Sequence, residues 1–233
     1  SMGLSYPTVR NILDELIDKL QHLSPSNPYY QSATNTHPKQ SRPAFLANPF
    51  YTIAGWKALA WGLLVMAVAT AGSMAAHLHY HGLMHYGSDT NDAWWCHTAE
   101  HLVVWLVPAA IFYVAGLLLS SSRIRLIDVL GTTAFAQIPF AVMNLFYLPE
   151  QVQTFIALTP EELAGKISQE SYWLPVVGWL TPSLLFLAVV LCWLAVALKT
   201  SCNLRGWRLL LGYAAGIIGG DMACRLIISL MYK

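Results

Sequence analysis

Residues 209–231 read LLLGYAAGIIGGDMACRLIISLM, an apolar stretch long enough to cross a bilayer as a helix at about 1.5 Å per residue. Gly212, Gly216 and Gly220 recur every fourth position. They stack on one helical face, where the absence of side chains lets a second helix approach closely. Asp221 follows the last glycine, with Arg225 one turn further on. An acid and a base at i, i+4 can pair along the helix, and in lipid both are costly unless they face inward. The expectation is a helix inside a bundle, with Asp221 and Arg225 either a buried ion pair or the polar element of a small carrier.

Composition points the same way. Hydrophobic residues make up 56% of the 233, charged residues 11%, and the mean hydropathy is +0.48. Ordinary soluble chains carry roughly 25% charged residues. The fold class expected is therefore all-α, a polytopic membrane protein of five transmembrane helices. A net charge of +1 and the lack of any Lys/Arg run exclude nucleic acid as a partner. Cys96, Cys192, Cys202 and Cys224 form no C-x-x-C pair and are expected as free, mostly buried thiols.

The first two residues, Ser1-Met2, look like a cleavage scar. From Pro7 to Leu23 apolar residues fall at helical spacing opposite Asp14, Glu15, Asp18 and Lys19, which predicts an amphipathic helix. Its polar face is not basic, so packing on the bundle, or on a second copy in a homo-oligomer, suits it better than membrane insertion. Residues 24–47 read as a polar linker. The chain thus divides into 1–47, a cytosolic helix and linker, and 48–233, the transmembrane domain. Asn48-Pro49 is a helix-start signal. Four further spans are expected at Ala58–Ala76, Leu102–Leu119, Val129–Leu148 and Leu174–Leu198. Thr159-Pro160-Glu161-Glu162 predicts a short capped helix in the loop before the fourth span.

Orientation follows from the basic residues. Arg10, Lys19, Lys39, Arg42 and Lys57 precede the first span, Arg123 and Arg125 join the second to the third, and Lys199, Arg205 and Arg208 join the fourth to the fifth. The alternate loops hold Lys166 alone. The N-terminus is expected in the cytosol and the C-terminus outside.

Six of the eight histidines lie between His77 and His101, all on the expected outer side. If the first span continues far enough, His77, His81 and His85 share one helical face. His97, Glu100 and His101 spell H-x-x-E-H, the inverted zinc-peptidase motif, in which two imidazoles one turn apart bind zinc and the glutamate activates water. His77, His81 or His85 would supply the third ligand. The competing reading is a belt of interfacial histidines with no metal. Gln137 and Asn144, seven apart on the third span, are expected as interhelical hydrogen-bond donors and acceptors.

The order DVLGTTAFAQIPFAVMNLF, an outer loop, LPVVGWLTPSLLFLAVVLCWLAVALKT, a basic turn and the glycine-rich last helix, with Asn48-Pro49-Phe50 ahead of the first span, resembles the bacterial branch of the YIP (Ypt-interacting protein) membrane family. The resemblance spans Asn48 to Met231, and its matching positions are Pro139, Pro175, Gly178 and Gly216 to Gly220. It implies five spans, a cytosolic N-terminus, no catalytic residues, an inner-membrane location and action through protein partners at the cytosolic face. Eukaryotic members are associated with Rab-type GTPases. The histidine run belongs to no motif of that family.

Overall fold

The computed structural model describes Ile12 and residues 49–51, 53–88, 93–167 and 173–232. The N-terminal amphipathic helix and the linker expected at 1–47 lie outside the described residues, Ile12 apart, as does Asn48. After a 3-10 turn at Pro49–Tyr51 come α1 (Gly55–Ala75), the two-residue strands β1 (His79–Tyr80) and β2 (Tyr86–Gly87), and α2 (Trp94–Leu119). Helices α3 (Leu126–Ala136) and α4 (Ile138–Phe146) follow, then the short α5 (Glu150–Ile156) and α6 (Pro160–Ile167). The chain finishes with α7 (Trp173–Ser201), α8 (Gly206–Ala214), a π turn at Ala215–Gly219 and α9 (Gly220–Met231). Among the described residues five helical segments are long and apolar enough to cross a bilayer: Gly55–Ala75, Trp94–Leu119, Leu126–Phe146, Thr181–Ser201 and Gly206–Met231.

The third of these breaks at Gln137, because Pro139 has no N–H to continue the ladder. Gln137 N–H instead closes on Ala134 O (3.2 Å) and Phe140 N–H on Gln137 O (2.9 Å). The freed amide side chain donates to Val104 O of α2 at 3.0 Å. Two turns on from Gln137, Asn144 donates to Ala69 O of α1 at 2.7 Å and accepts from Tyr80. Both polar residues cross-link helices.

The α3–α4 segment is the hub of the bundle. Within its apolar window 72% is buried, against 22% to 39% in the other four. The last helix packs into the bundle by one face: Leu210, Leu211, Ile218, Met222 and Leu226 are exposed, while Gly212, Gly216, Gly220, Asp221, Cys224 and Ile228 face inward. Its glycine face packs on α2, Gly216 against the Phe112 ring and Gly220 against the ring and Cα of Pro108. The backbone-to-backbone seam lies elsewhere. Gly131 of α3 sits on the Gly55 carbonyl and the Leu59 N–H of α1, and Gly62 sits on the backbone of Ala134 and Phe135. Neither glycine belongs to a repeating pattern, so the seam left no periodic trace in the sequence.

On the glycine face of the last helix, a Cβ at Gly216 would overlap Phe112, whereas Ile218 is 60% exposed. Gly216→Leu is expected to lower thermal stability in detergent by several degrees, an overpacking cost of about 1–3 kcal/mol, while Ile218→Leu leaves it unchanged. Equal melting of the two variants would contradict the packing.

The expected loop helix is α6. Glu162 accepts from Thr159 N–H at 2.8 Å, and Glu162 N–H donates to Thr159 Oγ1 at 3.3 Å, the reciprocal bonds of a capping box. Donation from Thr159 N–H and from Thr159 Oγ1, the latter at 3.0 Å, holds the Glu162 carboxyl below its usual range. All four cysteines are free, and three are buried.

Candidate metal site in a buried histidine hairpin

The site depends on where α1 stops. Its last turn closes with His77 N–H donating to Met74 O (3.3 Å) and Leu78 N–H donating to Ser73 O (2.9 Å). His77 itself has φ of 50°. These are the paired bonds and left-handed residue of a Schellman stop, with histidine in the position glycine usually takes. The helix therefore does not continue to His85, and His77, His81 and His85 do not share a helical face. Instead His77 is exposed at the turn, His81 is half-buried, and His85 points to the last helix.

Beyond the stop, the chain turns inward as a hairpin. His79 pairs with Gly87 and Tyr80 with Tyr86, and His81 and Gly82 N–H both donate to His85 O. Leu78, His79, Tyr80 and Leu83 are fully buried. Tyr80 packs its ring on Phe140 at 5.3 Å between centroids and on His101 at 4.7 Å. Burial holds the Tyr80 phenol well above its usual range, so at neutral pH it is a donor.

Asp221 anchors the hairpin from the other side. Its carboxylate accepts Met84 N–H at 2.9 Å and pairs with His85 Nδ1 at 3.0 Å. Gly82 lies so close that a Cβ there would come within 2.7 Å of Asp221 Oδ1. Arg225, expected to pair with Asp221, is exposed, and the side chain that meets the Asp221 carboxylate is His85. An i, i+4 spacing permits a pair, but the Arg225 stem runs past Gly82 while the Asp221 carboxylate is taken by Met84 N–H and His85.

On α2, His97 and Glu100 lie three residues apart and so on one face, which is the face turned to the hairpin. His79 Nδ1 lies 2.8 Å from Glu100 Oε1, and Tyr80 N–H donates to Glu100 Oε2 at 2.8 Å. Tyr232, just past α9, donates its hydroxyl to Glu100. Burial, reinforced by that carboxylate, keeps the Tyr232 phenol protonated. The His79 and His97 rings lie 4.1 Å apart, and one donor atom from each of His79, His97 and Glu100 falls within 4.8 Å of the others. All three residues are at most 1% exposed.

His101 turns to Ser73 instead. Its Nε2 is 3.3 Å from Ser73 Oγ, which also lies 3.4 Å from His97 Nδ1 and bonds to Thr70 O. The expected zinc pair His97 and His101 is thus replaced by His97 and Glu100, and the third member is His79. That residue stands in the histidine run, and only the assumption of a continuing helix removed it from consideration. Ser73, Tyr80 and Tyr232 carried no motif at all.

Two imidazoles and a carboxylate suit zinc or another first-row divalent ion. Tetrahedral ligands at about 2.0–2.1 Å from zinc stand about 3.3 Å apart, so the donors would have to draw in by up to about 1.5 Å. The His79–Glu100 contact serves the site in two ways: Glu100 can bind the ion directly, or it can fix His79 as the Nδ1–H tautomer and present Nε2. Three protein donors leave a coordination position open for water or substrate. No family model, no curated protein and no solved structure matches the chain.

Proposed function

We propose that the chain is a five-helix integral membrane protein that holds one divalent transition-metal ion, of the zinc class, in the site formed by His79, His97 and Glu100. The observation that carries this reading is their convergence: three metal-binding side chains from two separate elements, all buried, with donor atoms within 4.8 Å. Elemental analysis of purified protein is expected to find about one zinc-class ion per chain, by the stoichiometry of a single site. A preparation made without chelators, loaded with zinc, dialysed and still empty would overturn the reading.

The membrane part of the proposal rests on the five apolar segments and on their outward faces, which carry Trp61, Leu64, Val68, Leu118, Leu185 and Leu210 in exposed positions. The charge pattern supports an N-terminus in the cytosol and the histidine hairpin outside. Single cysteines placed in the loops at 81–88 and 149–167 should react with an impermeant maleimide from one side of a vesicle, and those at 199–208 from the other. Labelling of all three from the same side would refute the orientation.

A second reading keeps the YIP-like, non-enzymatic role through a protein partner at the cytosolic face, supported by the five-span layout. Metal content separates the two.

A further inference from the structure

At the opposite end of the bundle from the histidines, a cavity of about 510 Å³ opens between the α2–α3 connection and the α7–α8 connection. We propose that it binds the phosphodiester headgroup of an anionic phospholipid. This rests on the membrane reading above but not on the metal site.

The volume falls within the ~300–1,000 Å³ of small-molecule sites. Its polar lining consists of Ser120, Ser121, Asn203, Arg205 and Arg208, with Trp207 beside them. The walls are tied together rather than loose. Arg208 donates to Leu119 O at 3.3 Å and its guanidinium lies 5.7 Å from the Trp207 ring centroid, while Asn203 Nδ2 donates to Ser122 Oγ at 3.0 Å. The two connections and the helical turns that flank them carry five cations, Arg123, Arg125, Lys199, Arg205 and Arg208, against one acid, the buried Asp128.

Planar guanidinium donors match phosphate oxygens two at a time, and hydroxyl and amide groups add bonds to phosphate or glycerol oxygens. A free anion would meet the same donors. The lipid is the better occupant because the surface beside the cavity is apolar: Leu118 is 78% exposed, Leu210 68% and Trp207 63%. Acyl chains would lie along Leu118 and Leu210 while Trp207 sits at headgroup level, the usual depth of an interfacial tryptophan.

The test uses the full chain in detergent, with dioctanoyl phosphatidylglycerol and dioctanoyl phosphatidylcholine as probes and native mass spectrometry as the readout. The expected result is tighter binding of the anionic lipid, weakened about fivefold for each of Arg205→Gln and Arg208→Gln. Arg205 is exposed, so Arg205→Gln alone tests the proposal even if the Arg208 variant unfolds. Lys166→Gln, in α6 and outside the cavity lining, should keep the wild-type preference. Equal binding of the two lipids, or a preference that survives Arg205→Gln, would overturn the proposal. Displacement of the bound lipid by millimolar inorganic phosphate would overturn the lipid assignment in favour of a soluble anion. A chain that fails to partition into membranes refutes the membrane reading itself, which a loss of headgroup preference in a membrane-inserted protein does not.

Discussion

Zinc added to metal-stripped protein is expected to raise its melting temperature, and His79→Ala to abolish that rise. An ion that binds the folded state alone adds about 2.7 kcal/mol when its concentration is a hundred times the dissociation constant. For a chain of this size that corresponds to several degrees. His79 is the informative substitution because it is fully buried and meets both other members of the set, the Glu100 carboxylate at 2.8 Å and the His97 ring at 4.1 Å. Removing it also costs stability without metal, since Glu100 is left with Tyr80 N–H and Tyr232 as its remaining partners in the network described above. The quantity to compare is therefore the zinc-dependent shift in each variant, not the melting temperature alone. His85→Ala breaks the pair with Asp221 and should lower stability while keeping the zinc shift. His101→Ala should keep it too, because His101 faces Ser73. If zinc shifts wild type and His79→Ala equally, or neither, the cluster is a buried polar network holding the hairpin to α2 and no more.

Gly131→Ala is expected to lower the melting temperature by several degrees. The new Cβ would overlap the Gly55 carbonyl and sit 3.0 Å from Leu59 N and 3.2 Å from Ala58 Cβ. Two of those three neighbours are backbone atoms of α1, which cannot rotate aside as a side chain can. Relief requires α1 and α3 to separate, and Gly62, whose own Cβ would fall 2.8 Å from the Ala134 and Phe135 backbone, loses its packing with them. Overpacking of this kind costs about 1–3 kcal/mol. The matched control is Gly178→Ala in α7, where nothing lies within 4 Å of the added carbon. That change should be neutral or slightly stabilising, since alanine is favoured over glycine inside a helix by roughly 0.5–1 kcal/mol. Thermal melting in detergent checks both. Indistinguishable melting of the two variants would show that α1 and α3 are not in backbone contact.

Much of the helix layout was legible because it depends on local composition. The apolar runs place the five long segments to within a few residues at most ends, and the capping box at Thr159–Glu162 named α6 from four residues. The largest miss in length is at the second, where α2 begins at Trp94 rather than near Leu102. Its first two turns carry His97, Glu100 and His101, polar residues that look like loop until a hairpin covers them. Gln137 and Asn144 were readable as interhelical links because an amide in an apolar span has few other ways to be satisfied. The break at Gln137 was not read, though Pro139 signals it.

What the chain could determine alone was which kinds of residues gather at which end: six histidines and Glu100 at one, Arg205 and Arg208 among a cluster of bases at the other. Tertiary structure decided which of them meet. A histidine in left-handed conformation at the end of α1 turns the following residues inward, so His79 rather than His77, His81 or His85 reaches His97 and Glu100. Asp221 takes His85 across the bundle in place of its sequence neighbour Arg225. Both outcomes have one physical cause. Helical spacing tells which residues can share a face, but the direction of that face, and the partner that covers it, are set by burial against other elements far away in the chain.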